Sequence, residues 1–231
     1  MADPNTIRIA THRRETSETA LIAAALGEDS LWRALQRSPY QTPTPCLFLD
    51  RDGVLIEERY YLSDPDGVAL IPGALAAIAA ARAKGHAVVV VSNQAGIGRG
   101  HFGWAQLAAV EMRIASLLAA AKLSADAVLA CPFHPDGQPP YNHAHPWRKP
   151  SPGMLQEAAT VLNLDLSRSL LVGDKVSDIL AARAAGLPAA LHVRTGHGVG
   201  EQTASLAAAT AAFQVFVADD ASAVTHLMSK E

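Results

Sequence analysis

Three apolar runs in this chain break off into polar side chains without transition. CLFL (46–49) meets Asp50-Arg51-Asp52-Gly53, AVVVV (87–91) meets Ser92-Asn93-Gln94, and SLLV (169–172) meets Gly173-Asp174-Lys175. Each run is continuous rather than alternating, so a strand built from it carries apolar side chains on both faces and needs cover on both. Further runs at 127–130, 189–193 and 213–217 extend the pattern. Helical segments are predicted between them at 73–84, 104–122, 152–162, 176–185 and 219–228, with Gly85, Gly186 and Ser151–Pro152 as stops and starts. Strands and helices in alternation predict an α/β fold, a Rossmann-like three-layer sandwich around a mainly parallel sheet.

The first 45 residues read differently. SETALIAAALG and SLWRALQR each have helical spacing, with Ser17 and Ser30 as N-caps and Gly27 as a stop, and the Pro-rich SPYQTPTP ends any helix before Cys46. The expected organisation is a short helical arm and linker over 1–45 and one main domain over 46–231. A chain of 231 residues, 49% hydrophobic and 18% charged, is long enough and apolar enough to bury a core. Its net charge of −3, from 19 basic and 22 acidic residues, offers no broad surface for nucleic acid. Cys46 and Cys131 make no disulfide framework. With no apolar signal-like stretch at the N-terminus and no membrane-length apolar run, the expectation is a cytoplasmic protein without membrane partners. Oligomeric state is left open.

The residues after the strands carry the chemistry. In open parallel α/β sheets, ligands lie beyond the carboxyl ends of the strands, so Asp50, Asp52, Ser92, Asn93, Gln94 and Asp174 converge there with Arg148 and Lys149 of the preceding loop. The carboxylates of Asp50, Asp52 and Asp174 repel one another unless a hard cation accepts their oxygens, and magnesium with a phosphate oxygen suits such a set. Asp50 then becomes a nucleophile toward phosphorus. Ser92 and Lys149 ground the other phosphoryl oxygens, and Asp52 serves as general acid and base. Gly53 permits the turn that brings both acids to one ligand. Asp178 either orients Lys149 or Lys175 or joins the metal. GIGRG (96–100) is either a phosphate cradle, with Arg99 reaching the far end of the substrate, or a plain turn.

Asp50-Arg51-Asp52-Gly53, Ser92, Lys149 and VGDKVSD, in that order and each after the right kind of element, resemble the four motifs of the haloacid dehalogenase superfamily of phosphatases. FLDRDGV, VVVSNQAGIGRGHF, CPFHPDG, RKPSPGML, LLVGDKVSD and VRTGHG are similar to the D-glycero-D-manno-heptose 1,7-bisphosphate 7-phosphatases and their histidinol-phosphatase relatives, over about 46–196. The resemblance implies a phosphatase domain over 46–231 without a large cap, and a small phosphorylated sugar as substrate. It implies magnesium held by Asp50, Asp174 and the backbone of Asp52. It further implies phosphate or substrate contacts from Ser92, Asn93, Arg148, Lys149 and Lys175 and a substrate-facing loop from Glu58 to Tyr61. To these, Gln94 after the second strand and Arg99 of GIGRG are added as candidate substrate contacts. Histidinol phosphate or another small phosphomonoester is the alternative substrate. A non-catalytic binding protein would be expected to lack one of the acids or Lys149, and none is missing. The family's zinc loop is altered: Phe133 stands where a histidine is expected, and His143-Ala144-His145 stands in place of a cysteine pair. Cys131, His134, His143 and His145 could form a Cys-His₃ set, but the altered spacing makes no structural zinc the expectation.

Overall fold

In the computed structural model of the protein, which describes residues 19–228, Cys46 and Phe48 project from one face of their strand and Leu47 and Leu49 from the other. All four are buried, each pair in a separate apolar cluster. The next strand repeats this, with Ala87, Val89 and Val91 on one side and Val88 and Val90 on the other. The described chain runs α1 (19–25), β1 (Trp32–Leu35), β2 (Cys46–Leu49), α2 (Ala74–Ala83), β3 (Ala87–Asn93), α3 (Ala95–Gly98), α4 (Trp104–Ala120) and β4 (Ala127–Cys131). It continues through α5 (Gly153–Leu162), β5 (Leu170–Gly173), α6 (Val176–Ala184), β6 (Ala189–Val193), α7 (Gly198–Leu206), β7 (Gln214–Ala218) and α8 (Val224–Leu227). Helices α5 and α6 cover one face of the sheet, and α2, α4 and α8 cover the other. The predicted three-layer α/β sandwich is what forms. Among the described residues no helix is long and apolar enough to cross a membrane.

The sheet order is β1-β4-β3-β2-β5-β6-β7, parallel except for β1. From β2 the chain winds outward to β3 and β4, and later from β5 to β7 on the other side. The carboxyl end of β2 is therefore the switch point, where a crevice opens between diverging connections.

Three expectations need correction. SLWRALQR is not a helix: Trp32–Leu35 pairs antiparallel with β4, placing Trp32 opposite Ala130. Trp32 and Ala34 face inward while Leu35 is 46% exposed, a period of two that a four-residue run cannot distinguish from helical spacing. Trp32 stacks on Trp104 of α4 at 6.0 Å, a long-range contact that outweighs local propensity. Ser30, expected as a helix cap, sits in the left-handed region at φ 59° within the turn before β1. Helix α7 was not expected, because GVGEQTASL offers two glycines and no apolar stripe. The helix expected over 219–228 is divided into a 3₁₀ turn (Ala221–Ala223) and the short α8. Ser17, the other expected cap, lies outside the described residues.

Candidate active site

The switch-point crevice is lined by charge. Asp50 follows β2, its N–H donating to Val172 O at 3.0 Å, so β5 fixes the backbone of the first acid. The Lys149 ammonium reaches Asp50 Oδ1 at 2.7 Å, Asp178 Oδ1 at 2.7 Å and Val91 O at 2.8 Å. It is thus hydrogen-bonded to Asp50 and the Val91 carbonyl and ion-paired with Asp178 within the protein. Burial pulls the Lys149 pKa down, but Asp178 and Asp50 more than offset this and hold it above its ordinary value. Lys149 is a fixed positive charge.

Asp50, Asp174 and Asp178 bring carboxylate oxygens within 4.8 Å of one another, and all three are buried. Burial, then the charge of Asp50, pushes Asp174 up to about 8, with Lys175 opposing. Asp174 Oδ2 accepts from the His197 N–H at 2.8 Å, whereas its buried Oδ1 has no hydrogen-bond partner. Three buried acids face one buried ammonium, and Lys175, only partly covered, lies 4.0 Å from Asp174. An orphaned carboxylate oxygen within an excess of negative charge fits a hard divalent cation with oxygen ligands. Asp178 is tied up on both oxygens: Oδ1 pairs with Lys149, and Oδ2 accepts from the Lys175 N–H at 3.1 Å. It touches both lysines and also belongs to the metal-sized acid group, so both roles read for it have a geometric basis.

Asp52 lies outside that acid group. Arg51 donates Nε to its Oδ2 at 3.1 Å and a terminal nitrogen to its Oδ1 at 3.0 Å. Gln94 Nε2 bridges Asp52 Oδ2 at 3.0 Å and Ser92 Oγ at 2.7 Å. The Ser92 oxygen accepts, so its own proton is free to be donated into the crevice. Gly53, at φ +86°, makes the turn directly after the two acids, both of which line the same cavity.

These groups line a cavity of about 220 Å³ whose rim carries Glu58, Tyr60, Tyr61, Lys175 and His197. The volume suits a small substrate, being below the roughly 300–1,000 Å³ of drug-sized sites. Glu58 Oε2 lies 3.3 Å from Lys175 Nζ and 3.3 Å from His197 Nε2. Tyr60 and Tyr61 are consecutive left-handed residues, at φ 41° and 58°, and Tyr61 OH accepts from Arg99 at 2.5 Å.

Of the residues read from the sequence, Asp50, Asp52, Ser92, Lys149, Glu58, Tyr61, Asn93, Gln94 and Lys175 all meet at this cavity. Asp174, fully buried and close to Asp50, does not itself line it, nor do Arg99 and Arg148. Arg99 stands behind Tyr61 and bonds His134, and Arg148 donates to Phe133 O at 3.2 Å with no acidic partner among the described residues. Burial lowers the Arg148 pKa. Cys131, His134, His143 and His145 do not form a metal-sized group among the described residues. Cys131 is packed in the core, where burial pushes its thiol up to about 11, and Phe133 stacks on the rings of His145 at 4.4 Å and His143 at 4.7 Å. Sequence reasoning missed His197, because its link to Asp174 runs through the backbone, and it left Arg51 and Glu111 without a role.

A HAD-hydrolase-like family model matches residues 146–223, from the Lys149 loop through β7. The chain is 51% identical over 144 residues to the D-glycero-beta-D-manno-heptose-1,7-bisphosphate 7-phosphatase of Mesorhizobium japonicum, a match covering 62% of this chain and 66% of that protein. It is 37% identical over 164 residues to the protein of the same name in Vibrio cholerae, covering 71% of this chain and 88% of that one. Among solved structures, a HAD-like phosphatase from Mesorhizobium loti superposes with a TM-score of 0.77 at 41% identity, covering 86% of this chain and 91% of that one. The D,D-heptose 1,7-bisphosphate phosphatase of B. bronchiseptica, complexed with magnesium and phosphate, superposes with a TM-score of 0.68 at 32% identity, covering 80% and 98%.

Proposed function

The chain belongs to the D-glycero-D-manno-heptose 1,7-bisphosphate 7-phosphatase family of haloacid dehalogenase-like phosphatases, and from that membership we propose that it is a magnesium-dependent phosphatase removing the 7-phosphate of this sugar bisphosphate. The observation that carries the reading is the Lys149 ammonium 2.7 Å from Asp50, both lining a cavity with Ser92, while the carboxylates of Asp50 and the buried Asp174 come within 4.8 Å of each other.

Asp50 is assigned as nucleophile. Its carboxylate forms a bond to phosphorus as the bond from phosphorus to the sugar oxygen breaks, and Asp52 gives that oxygen a proton. In the second step Asp52 takes a proton from water, the water oxygen bonds phosphorus, and the aspartyl-phosphate bond breaks to return Asp50 and release phosphate. Magnesium held by Asp50, Asp174 and the Asp52 backbone carbonyl supplies positive charge against the phosphoryl oxygens and relieves the repulsion between nucleophile and substrate. Ser92 donates to a phosphoryl oxygen, and Lys149 contributes as a charge.

Glu58, Lys175 and Tyr61 are assigned to the sugar at the rim. Arg148, without an acid, and Arg99, behind Tyr61, are assigned to the end of the substrate that keeps its phosphate. Asn93 acts through Lys149, whose backbone it holds. The phosphatase domain is assigned to 46–231, with β1 of the preceding segment completing the edge of its sheet beside β4. A cytoplasmic enzyme of carbohydrate metabolism, with neither nucleic acid nor membrane as partner, fits the composition and the substrate class.

The test is phosphate release with magnesium from the heptose bisphosphate, histidinol phosphate and simpler phosphomonoesters. Preference for the bisphosphate, lost in Asp50→Asn, is the expected result. Preference for histidinol phosphate would overturn the substrate, and an Asp50→Asn variant of normal turnover would overturn the mechanism.

A further inference from the structure

We infer that Arg51 and Glu111 form a positioning pair that sets the orientation of the Asp52 carboxylate for proton delivery to the leaving group. The inference rests on the assignment of Asp52 as general acid. Glu111 occupies the inner face of α4, where Leu107, Val110, Ile114 and Leu118 are buried at helical spacing and an apolar residue would serve packing better. A buried carboxylate is costly there unless paired. Its partner is Arg51, 1% exposed against 7% for Glu111, which reaches Glu111 Oε1 at 3.0 Å. The opposite edge of the same guanidinium grips both oxygens of Asp52. A planar fork with its remaining edge anchored on a helix cannot rotate, and neither can the carboxylate it holds.

Glu111 of α4 thus acts on the catalytic oxygen pair only through Arg51, which holds that pair directly. Gln94 completes the clamp from β3's end, tying Asp52 to Ser92. A buried ion pair on this scale is weak evidence for added stability, since well-packed apolar residues often serve as well. Its position points to orientation instead.

The experiment compares an alkyl phosphate, whose alkoxide leaves only with a proton, with 4-nitrophenyl phosphate, whose phenolate leaves without one. General-acid catalysis contributes roughly 10²–10⁴-fold. Glu111→Gln and Glu111→Met are each expected to lower kcat/KM on the alkyl phosphate, which reports only the steps through departure of the alcohol, about 10-fold or more. The kcat/KM on the aryl phosphate is expected to stay within about 3-fold. Glu111→Met supplies the measurement should the glutamine variant fold poorly. Introduced into Asp52→Asn, either change is expected to leave the alkyl-to-aryl ratio where Asp52→Asn alone put it. Parallel loss on both substrates, or no loss, would overturn the inference while leaving the proposed function intact, provided Asp52→Asn alone separates the two substrates. If Asp52→Asn fails to separate them, the role of Asp52 falls and the inference falls with it.

Discussion

Gly53 and Gly196 meet over the carboxylate of Asp174. A Cβ on Gly196 would lie 2.7 Å from the Gly53 Cα and inside the contact distance of Asp174 Oδ2, and a Cβ on Gly53 would press on the same oxygen. Thr195 Oγ1 donates to Gly53 O at 2.5 Å, so the two loops are tied as well as close. Asp174 is held between them with one oxygen left for a cation.

Gly196→Ala should therefore displace Asp174 before it disturbs anything else. The left-handed backbone at φ +57° adds strain, and the combined cost to stability is expected to be about 1–3 kcal/mol. Magnesium affinity, measured by titration calorimetry, is expected to fall about tenfold or more, equivalent to roughly 1.4 kcal/mol. Unchanged affinity would mean the carboxylate has room to adjust.

Removing Lys149 should be a stability lesion as well as a catalytic one. Lys149→Met leaves Asp50 and Asp178 buried without their ammonium, and breaking a buried pair of this kind costs about 3–5 kcal/mol. Lys175→Met, at a partly exposed position, should cost about 1 kcal/mol or less. Denaturant titration of the metal-free variants separates the two, and equal costs would contradict the burial argument.

The metal-free protein should lose stability as pH rises. Burial and the charge of Asp50 raise Asp174 from 3.8 to about 8, so the folded chain binds this proton more tightly than the unfolded one. That contribution is complete below the unfolded value and disappears as pH climbs through the folded value. Burial raises Asp178 in the same direction, with Lys149 opposing. The gain in melting temperature on adding magnesium should accordingly be larger at alkaline than at mildly acidic pH. A gain independent of pH would show that protons and metal do not compete at these acids.

Phe133 should govern the loop before Lys149. Its ring packs against Tyr141 at 5.3 Å as well as against His143 and His145. Phe133→Ala is expected to cost up to about 3 kcal/mol, and to raise KM by loosening Arg148, which donates to the Phe133 carbonyl. A variant with unaltered KM would place the loop outside substrate binding.

Residues in continuous runs were legible because their burial is a property of the run: Leu47 and Phe48 could only be central. Asp50 and Ser92 were legible because each ends such a run and parallel topology gathers those ends, and Lys149 was legible from the loop before α5 and from the motif order. What escaped depends on contacts between distant segments. The strand Trp32–Leu35 is defined by β4 and Trp104, neither of which its own spacing reveals. Glu111 falls on the apolar stripe of its helix, where a lone acid names no partner, and only Arg51 explains its burial. Asn93, which lines the cavity, also grips Lys149, donating to its carbonyl at 3.0 Å and accepting from its N–H at 3.1 Å, a contact no local pattern reveals. Arg99 and Arg148 were placed by resemblance, and the walls around them are set by Tyr61 and Phe133.

The antiparallel strand β1 has a practical corollary. Its Arg33 lies 4.3 Å over the Trp147 ring, two residues before the lysine, and bonds Glu157 of α5 at 2.8 Å. Trimming the chain back to Cys46 to obtain a minimal enzyme would bare the flank of β4 to other molecules and unfasten the lysine's loop at its root. Such a fragment would be a poor starting point for crystallisation or assay, and the leading segment belongs in any expression design.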